Sequence, residues 1–163
     1  MILAITGYMG SGKSTVGRIV ADALGCPFTD LDETIEKEAG RTVADIFATD
    51  GEPAFRQMEL KALKSTLRKY QSGTAVIALG GGTVTIPEAV KLLRDKTLCI
   101  WLQAPADELE TRVAGSGRPL ADKDFRERLV SREPLYAAAS HVTIDTAGLS
   151  PEEIADEIII DCL

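Results

Sequence analysis

The chain has 163 residues, of which 45% are hydrophobic and 26% are charged, a composition typical of one globular domain. Its 18 basic and 25 acidic side chains give a formal net charge of −7, which argues against general binding to nucleic acid or to an anionic membrane surface. Aromatic residues make up only 5%, too few for a base-stacking platform, so we expect no nucleic acid and no membrane as a partner.

Short apolar runs alternate with segments of helical periodicity along the whole chain. The predicted strands cover residues 1–6, 27–31, 75–79, 97–102 and 142–144. The predicted helices cover residues 13–24, 34–39, 43–49, 53–70, 87–94, 105–114 and 125–136, and a last one begins after Ser150. This alternation predicts an α/β fold with a central parallel sheet of about five strands and helices on both faces. No linker interrupts it, so residues 1–163 are expected to form a single domain.

The N-terminus and the cysteines indicate a cytoplasmic protein. The sequence MILAITGYMG lacks the positive region and cleavage site of a signal peptide, and it is typical of a buried first strand. The cysteines Cys26, Cys99 and Cys162 are odd in number, and no two have metal-ligand spacing. We therefore expect buried, reduced thiols.

The strongest motif follows the first predicted strand. The segment from Gly7 to Ser14 reads GYMGSGKS and fits the phosphate-loop pattern G-x-x-x-x-G-K-[ST]. Glycines in such a loop let several backbone N–H groups point at one phosphate, and the following helix adds the positive end of its dipole. Lys13 is expected to reach the β- and γ-phosphates, and the Ser14 hydroxyl is expected to bind Mg²⁺. The residues expected to contact the nucleoside triphosphate are Gly10, Ser11, Gly12, Lys13, Ser14 and Thr15.

Three further features indicate where a phosphoryl acceptor could bind. Asp30 and Asp32 lie at the end of the second predicted strand, where two residues apart on an extended chain would share one side. One carboxylate could then hold a metal and the other an acceptor hydroxyl, near the edge of the sheet where ligands bind. The alternative is that they are turn or helix N-cap residues. Arg56 and Glu59 have the spacing of a helical pair, for which a solvated ion pair is the ordinary interpretation. Gly80–Gly82 would let a ligand ring approach the backbone, or would form a flexible loop.

The late part of the chain contributes candidate cations. Arg118 follows a glycine-rich polar stretch over residues 115–124 that is suited to a mobile lid, and it could move onto a transferring phosphate as arginine fingers do. Arg132 lies near the end of a predicted helix, where the helix dipole favours a cation in any case. His141, the only histidine, is interpreted as structural.

Together these residues resemble the shikimate kinase family over nearly the whole chain. The resemblance rests on the segments GYMGSGKST, DLDETIE, DGEPAFRQME, VIALGGG, RPL, REPLY and SPEEIA. It implies a P-loop kinase three-layer sandwich of the nucleoside-monophosphate-kinase type, with a substrate-binding region at about residues 32–60 and a mobile lid at about residues 112–125. It also implies ATP-dependent phosphorylation of the shikimate 3-hydroxyl, in the pathway to chorismate and the aromatic amino acids.

The resemblance further implies roles for individual residues. Lys13, Asp32 and Arg118 resemble the catalytic residues, with Asp32 holding the shikimate hydroxyls and accepting the reacting proton, and Arg118 also contacting ATP. Ser14 and Asp30 resemble the Mg²⁺ site. The positions that resemble the shikimate-binding residues are Asp32, Arg56, Gly80, Gly81, Gly82 and Arg132, with Arg56 and Arg132 as a clamp on the carboxylate. The segment 146–151 resembles the loop that covers adenine.

The chain departs from the family at the lid. No cation lies between Arg112 and Arg118, and the segment from Arg118 to Arg132 is shorter than in the family, which leaves the contact of Arg112 with phosphate open. Two alternatives also stay open: another small-molecule kinase of this fold, of the gluconate or nucleotide type, and a nucleotide-binding regulatory module without turnover. The arginine pair favours a carboxylate acceptor, because a guanidinium binds a carboxylate through two parallel hydrogen bonds. We expect a monomer whose partners are small molecules.

Overall fold

The strands form a single parallel sheet in the computed structural model, which describes residues 1–115 and 123–163. The strands of these ranges are β1 Ile2–Thr6, β2 Phe28–Asp30, β3 Ala75–Ala78, β4 Leu98–Gln103 and β5 Val142–Asp145. Every neighbouring pair is parallel, and the spatial order is β2-β3-β1-β4-β5. The predicted α/β fold with about five parallel strands is confirmed.

Helices connect the strands at each predicted position of the described ranges. They are α1 Lys13–Leu24, α2 Leu31–Ala39, α3 Val43–Asp50, α4 Glu52–Lys69, α5 Pro87–Lys96, α6 Ala106–Gly115, α7 Phe125–Ala139 and α8 Pro151–Cys162. The start of α8 is fixed by the Ser150 and Glu153 capping box that the sequence predicts. In the ranges that the structure describes, no helix is long and apolar enough to cross a membrane.

The hydrophobic core lies on both faces of the sheet. Side chains alternate along β1, so that Leu3 and Ile5 pack with α1 and α8 on one face. Ile2 and Ala4 point the other way, into the core formed with α2 to α7. Because both faces are covered, all five residues of β1 are buried, which explains why this strand reads as a continuous apolar run.

The sheet order brings three loops to one edge. The strands β2, β3 and β1 are adjacent, and their carboxyl ends carry Asp30, the glycines Gly80–Gly82 and the loop Gly7–Gly12 respectively. In open α/β sheets, ligands bind outside these carboxyl ends. The fold therefore places the sequence-predicted nucleotide and acceptor residues side by side.

The cysteines and the histidine lie away from this edge. The three cysteines are free, but only Cys99 is buried, so the expectation of buried thiols is wrong for the partly exposed Cys26 and Cys162. Burial raises the pKa of the Cys99 thiol to about 12. The Cys99 N–H donates to His141 Nδ1 at 3.0 Å, so Nε2 carries the ring proton and donates to the Arg94 carbonyl at 3.1 Å. The ring thus joins β4 to α5, in keeping with its interpretation as structural.

Candidate active site

The phosphate loop joins β1 to α1 and has the backbone that its glycines make possible. Gly10 and Gly12 have φ values of +85° and +89°, in the left-handed region that other residues rarely adopt. A Cβ on Gly10 would also lie 2.8 Å from the Leu109 carbonyl oxygen. The first turn of α1 holds no acidic residue, so its positive end is not offset. Lys13 lies across the loop, with Nζ donating to the Tyr8 carbonyl at 3.1 Å.

Ser14 and Asp30 form a pair between the loop and β2. The Ser14 hydroxyl donates to the Asp30 carboxylate, whose other oxygen accepts the Glu33 N–H at 3.1 Å as the N-cap of α2. The prediction that Asp30 and Asp32 share one side of an extended strand is wrong, because α2 begins at Leu31 and places Asp32 in its first turn. The predicted helix start at Thr34 is also wrong: the Asp30 side chain caps the helix by accepting the Glu33 N–H, so the helix begins three residues earlier, at Leu31.

Asp32 is a half-buried carboxyl with a perturbed proton affinity. Burial raises its pKa to about 6, and the negative charge of Glu59 acts in the same direction, while Lys13 opposes the shift. Burial disfavours the charged form of a carboxyl, and a nearby like charge adds to that effect. A carboxyl of this kind is ionised at neutral pH and is a stronger base than an exposed aspartate.

Arg56 and Glu59 form a buried pair on α4. The Arg56 Nη1 donates to Glu59 Oε1 at 2.7 Å, and Thr83 Oγ1 donates to Glu59 Oε2 at 2.7 Å. The Glu59 side chain has no exposed surface and that of Arg56 is 15% exposed. The interpretation of the pair as a solvated surface contact is therefore wrong. The rings of Phe47 and Phe55 lie 5.7 and 5.3 Å from the Arg56 guanidinium carbon, so the cation sits against aromatic faces.

The glycines after β3 make room for these side chains. A Cβ on Gly80 would lie 2.5 Å from Glu59 Oε2 and 2.9 Å from Asp32 Oδ1. A Cβ on Gly82 would collide with the Arg56 guanidinium. The need for glycine at these two positions thus comes from the packing of the protein's own charged groups, which no local sequence pattern indicates.

Arg132 and Arg112 approach the site from two helices. On α7, Arg132 Nη1 donates to the Gly81 carbonyl at 3.3 Å, which the Tyr136 hydroxyl also contacts at 2.5 Å. On α6, Arg112 Nη2 donates to Glu108 at 2.8 Å and Nη1 to the Ser11 carbonyl at 3.5 Å. Arg112 therefore lies against the phosphate loop. Arg118 and most of the predicted lid fall in residues 116–122, outside the described residues.

One cavity of about 1200 Å³ unites these groups, which is enough space for a nucleotide and a small acceptor together. Its lining includes the described residues that the sequence predicts for phosphate, metal and acceptor binding: Gly10–Thr15, Asp30, Asp32, Arg56, Gly80–Gly82 and Arg132. From the predicted adenine loop at residues 146–151, it includes Leu149 and Pro151. It also includes Glu59, Arg112 and Arg128. Of these, Arg128 carries no sequence signal beyond its position one helical turn before Arg132.

The fold and this cavity define a class of protein. A phosphate loop after the first strand of a parallel sheet, facing a pocket with buried guanidinium and carboxylate groups, is the arrangement of a P-loop kinase for small molecules. The family model described as Shikimate kinase matches residues 9–163. The chain therefore belongs to the shikimate kinase family.

Individual relatives agree with this assignment. The shikimate kinase of Symbiobacterium thermophilum is 41% identical over 98% of this chain and 94% of the relative. The shikimate kinase of Rhodopirellula baltica is 39% identical over 96% of this chain and 88% of the relative. The structure of shikimate kinase from Acinetobacter baumannii in complex with shikimate matches with a TM-score of 0.87 at 31% identity, over 97% of this chain and 90% of that chain.

Proposed function

We propose that this chain transfers the γ-phosphoryl group of ATP to the 3-hydroxyl of shikimate, giving shikimate 3-phosphate and ADP. The observation that carries the proposal is a single cavity in which the phosphate loop faces the two guanidinium groups of Arg56 and Arg132. Two guanidinium groups suit an acceptor with a planar carboxylate, as shikimate has. Membership in the family and the likeness to a shikimate complex support this choice of acceptor.

The nucleotide occupies the loop side of the cavity in this proposal. Backbone N–H groups of the loop and the end of α1 bind the phosphates, and Lys13 exchanges its contact with the Tyr8 carbonyl for the β- and γ-phosphates. The oxygens of Ser14 and Asp30 suit Mg²⁺, which neutralises phosphate charge when bound. Among the described residues, no cluster of three acidic, His or Cys side chains could hold a metal ion by itself.

Asp32 is the proposed base. In the transfer, the 3-oxygen of shikimate forms a bond to the γ-phosphorus, and the bond from that phosphorus to the bridging oxygen breaks with its electron pair remaining on ADP. The hydroxyl proton passes to the Asp32 carboxylate. The raised pKa of about 6 supports this role, because the carboxylate is ionised at neutral pH yet has a useful affinity for the proton.

Arg56 and Arg132 are the proposed clamp on the carboxylate. Glu59 fixes one guanidinium from a fully buried position, and the Gly81 carbonyl contacts the other. Gly80, Gly81 and Gly82 are proposed to present backbone to the acceptor ring. Arg118 is proposed to reach ATP from the lid at about residues 112–125. We also propose that the enzyme acts as a monomer.

An assay of acceptor choice tests the proposal. ADP release is measured with ATP, Mg²⁺ and, in turn, shikimate, quinate, gluconate and a nucleoside monophosphate. We expect turnover with shikimate far above that with the other three, and phosphorus NMR of the product should show one new phosphate monoester. Turnover with gluconate or the nucleotide instead would overturn the choice of acceptor. ATP binding without turnover for any acceptor would indicate a regulatory module.

The carboxylate clamp has its own test. Removing one partner from a buried charged contact costs about 2–5 kcal/mol, or about 30-fold and upward in affinity. Arg56→Ala and Arg132→Ala should each raise the shikimate KM by at least about 30-fold while the ATP KM stays nearly constant. Arg18→Ala is the control, because Arg18 pairs with Glu33 at the surface, where such contacts contribute about 0–1 kcal/mol. Equal binding of shikimate and its neutral amide analogue to the parent would refute the clamp.

A further inference from the structure

Arg128 is a cation of the cavity wall that has no role in the function proposed above. It lies on α7 one turn before Arg132, so the two side chains share one face of the helix, and both line the cavity. Like charges at this spacing disfavour each other. An anionic ligand with two separate negative groups would therefore relieve the repulsion between these two cations of the cavity wall.

Tyr8 holds both guanidinium groups in place. This residue of the phosphate loop is 1% exposed, and its hydroxyl donates to the Phe125 carbonyl at 2.9 Å and accepts from Arg128 Nε at 2.9 Å. The guanidinium carbons of Arg128 and Arg132 lie 5.9 and 5.7 Å from the centre of its ring. Both distances are within the range of cation–π attraction, which offsets part of the repulsion between the cations.

The same tyrosine connects these cations to the lysine of the phosphate loop. Its carbonyl accepts from Lys13 Nζ, so one residue touches the phosphate-loop lysine through its backbone and Arg128 through its hydroxyl. Arg132 points to the Gly81 carbonyl, on the acceptor side of the cavity. Arg128 lies nearer the start of α7, which follows the lid segment in the chain. The two arginines therefore line the same cavity one helical turn apart, Arg132 against the Gly81 carbonyl and Arg128 against the residue whose carbonyl contacts Lys13.

We propose that Arg128, held by Tyr8, is a further substrate-contacting residue whose guanidinium binds the transferred phosphoryl group while Arg132 binds the carboxylate of the same molecule. The proposal rests on the function proposed above. Shikimate 3-phosphate carries two negative groups in a 1,3 relation on one ring, which matches two guanidinium groups one helical turn apart. Arg128 exchanges no proton or electron pair; it adds fixed positive charge where negative charge accumulates during transfer.

Arg128→Gln tests the proposal, because glutamine removes the charge and keeps much of the side-chain length. Kinetic constants are measured together with the equilibrium affinities for shikimate and for shikimate 3-phosphate by calorimetry in the presence of ADP and Mg²⁺. We expect kcat to fall by about 10²-fold, the shikimate affinity to change by less than about threefold, and the shikimate 3-phosphate affinity to fall by at least about tenfold. Arg128→Lys should recover part of the loss, and Tyr8→Phe should show a smaller loss of the same kind.

Arg126→Gln is the matched control. Arg126 lies on the same helix but is exposed, and it pairs with Asp107 and Glu110 away from the cavity. This variant should keep all constants within about twofold of the parent. Thermal unfolding of every variant separates a loss of fold from a loss of contact.

Two results would overturn the proposal. If Arg128→Gln loses affinity equally for shikimate and for shikimate 3-phosphate, Arg128 contacts the acceptor and not the transferred phosphoryl group. If the kinetic constants and affinities of Arg128→Gln equal those of the parent, Arg128 contacts no substrate. A parent enzyme that releases no ADP with shikimate is a different result, since it refutes the proposed function itself.

Discussion

Replacing Asp32 by asparagine should stabilise the protein at neutral and alkaline pH while it removes the proposed base. Burial and the charge of Glu59 raise the pKa of this carboxyl from 3.8 to about 6. The folded state therefore holds the proton more tightly than the unfolded chain does. Between these two pH values the folded state binds more protons, so the free energy of unfolding decreases as pH rises. Above about pH 6 the ionised carboxylate leaves a constant deficit in stability.

The size of the effect follows from the two pKa values. At about 1.4 kcal/mol for each pH unit, a difference of roughly 2 corresponds to about 3 kcal/mol. For a chain of this length, 1 kcal/mol moves the midpoint of thermal unfolding by about 2–4 °C. Asp32→Asn should therefore unfold about 6–12 °C later than the parent at about pH 8. Near pH 4 the parent carboxyl is protonated and resembles the amide, so the two midpoints should converge.

Thermal unfolding followed by circular dichroism at several pH values between about 4 and 8 measures this difference, and ADP release at saturating substrate measures the accompanying loss of turnover. Asp50→Asn is the control of opposite sign. The guanidinium of Arg41 lowers the pKa of the exposed Asp50 through a hydrogen bond, so its ionised form stabilises the fold and that contribution disappears as pH falls. A stability gain for Asp32→Asn that is the same at every pH would refute the reasoning, since it would not arise from ionisation.

Lys13→Ala should lower kcat by about 10²–10³-fold with an unchanged circular dichroism spectrum, because a fixed cation at the γ-phosphate is lost; turnover within about threefold of the parent would contradict the phosphate-loop role. Gly82→Ala should raise the shikimate KM and leave the ATP KM unchanged, because the new Cβ would displace the Arg56 guanidinium. The backbone itself tolerates alanine, since the φ of Gly82 is −113°. A parental KM for both substrates would show that Arg56 can move without loss. For the parent, kcat/KM should fall about tenfold per pH unit below about 6, where Asp32 becomes protonated; a flat acid limb would argue against this base.

The fold was predictable because its signals are local. Each strand is a short apolar run, and helix ends are marked by residues such as Gly25 and Ser150, which the structure places at helix ends. The start of α2 was not predictable from apolar periodicity, because it depends on the Asp30 side chain accepting the Glu33 N–H. The same capping contact decides which way Asp32 points.

The candidate site was predictable as a set of residues, but its electrostatics were not. The spacing along α4 predicts that Glu59 is a surface partner of Arg56. The pair is in fact buried, because the segment that carries Thr83 packs over it and Thr83 donates to Glu59. Arg128 has no motif at all. Its place at the cavity depends on a contact with Tyr8, 120 residues away in the chain, which no local pattern encodes.

Under the proposed carboxylate clamp, the buried pair of Arg56 and Glu59 also constrains how the acceptor preference of this enzyme can evolve. A substitution of Arg56 that favours a neutral acceptor leaves Glu59 as an unpaired buried charge, and breaking such a pair costs about 3–5 kcal/mol. Replacing Glu59 first leaves the Arg56 cation without its hydrogen-bonded partner. Either order passes through a destabilised intermediate, whereas the double replacement can be neutral. The pair is therefore expected to show strong epistasis, and laboratory evolution toward uncharged acceptors should succeed mainly in libraries that vary both positions at once.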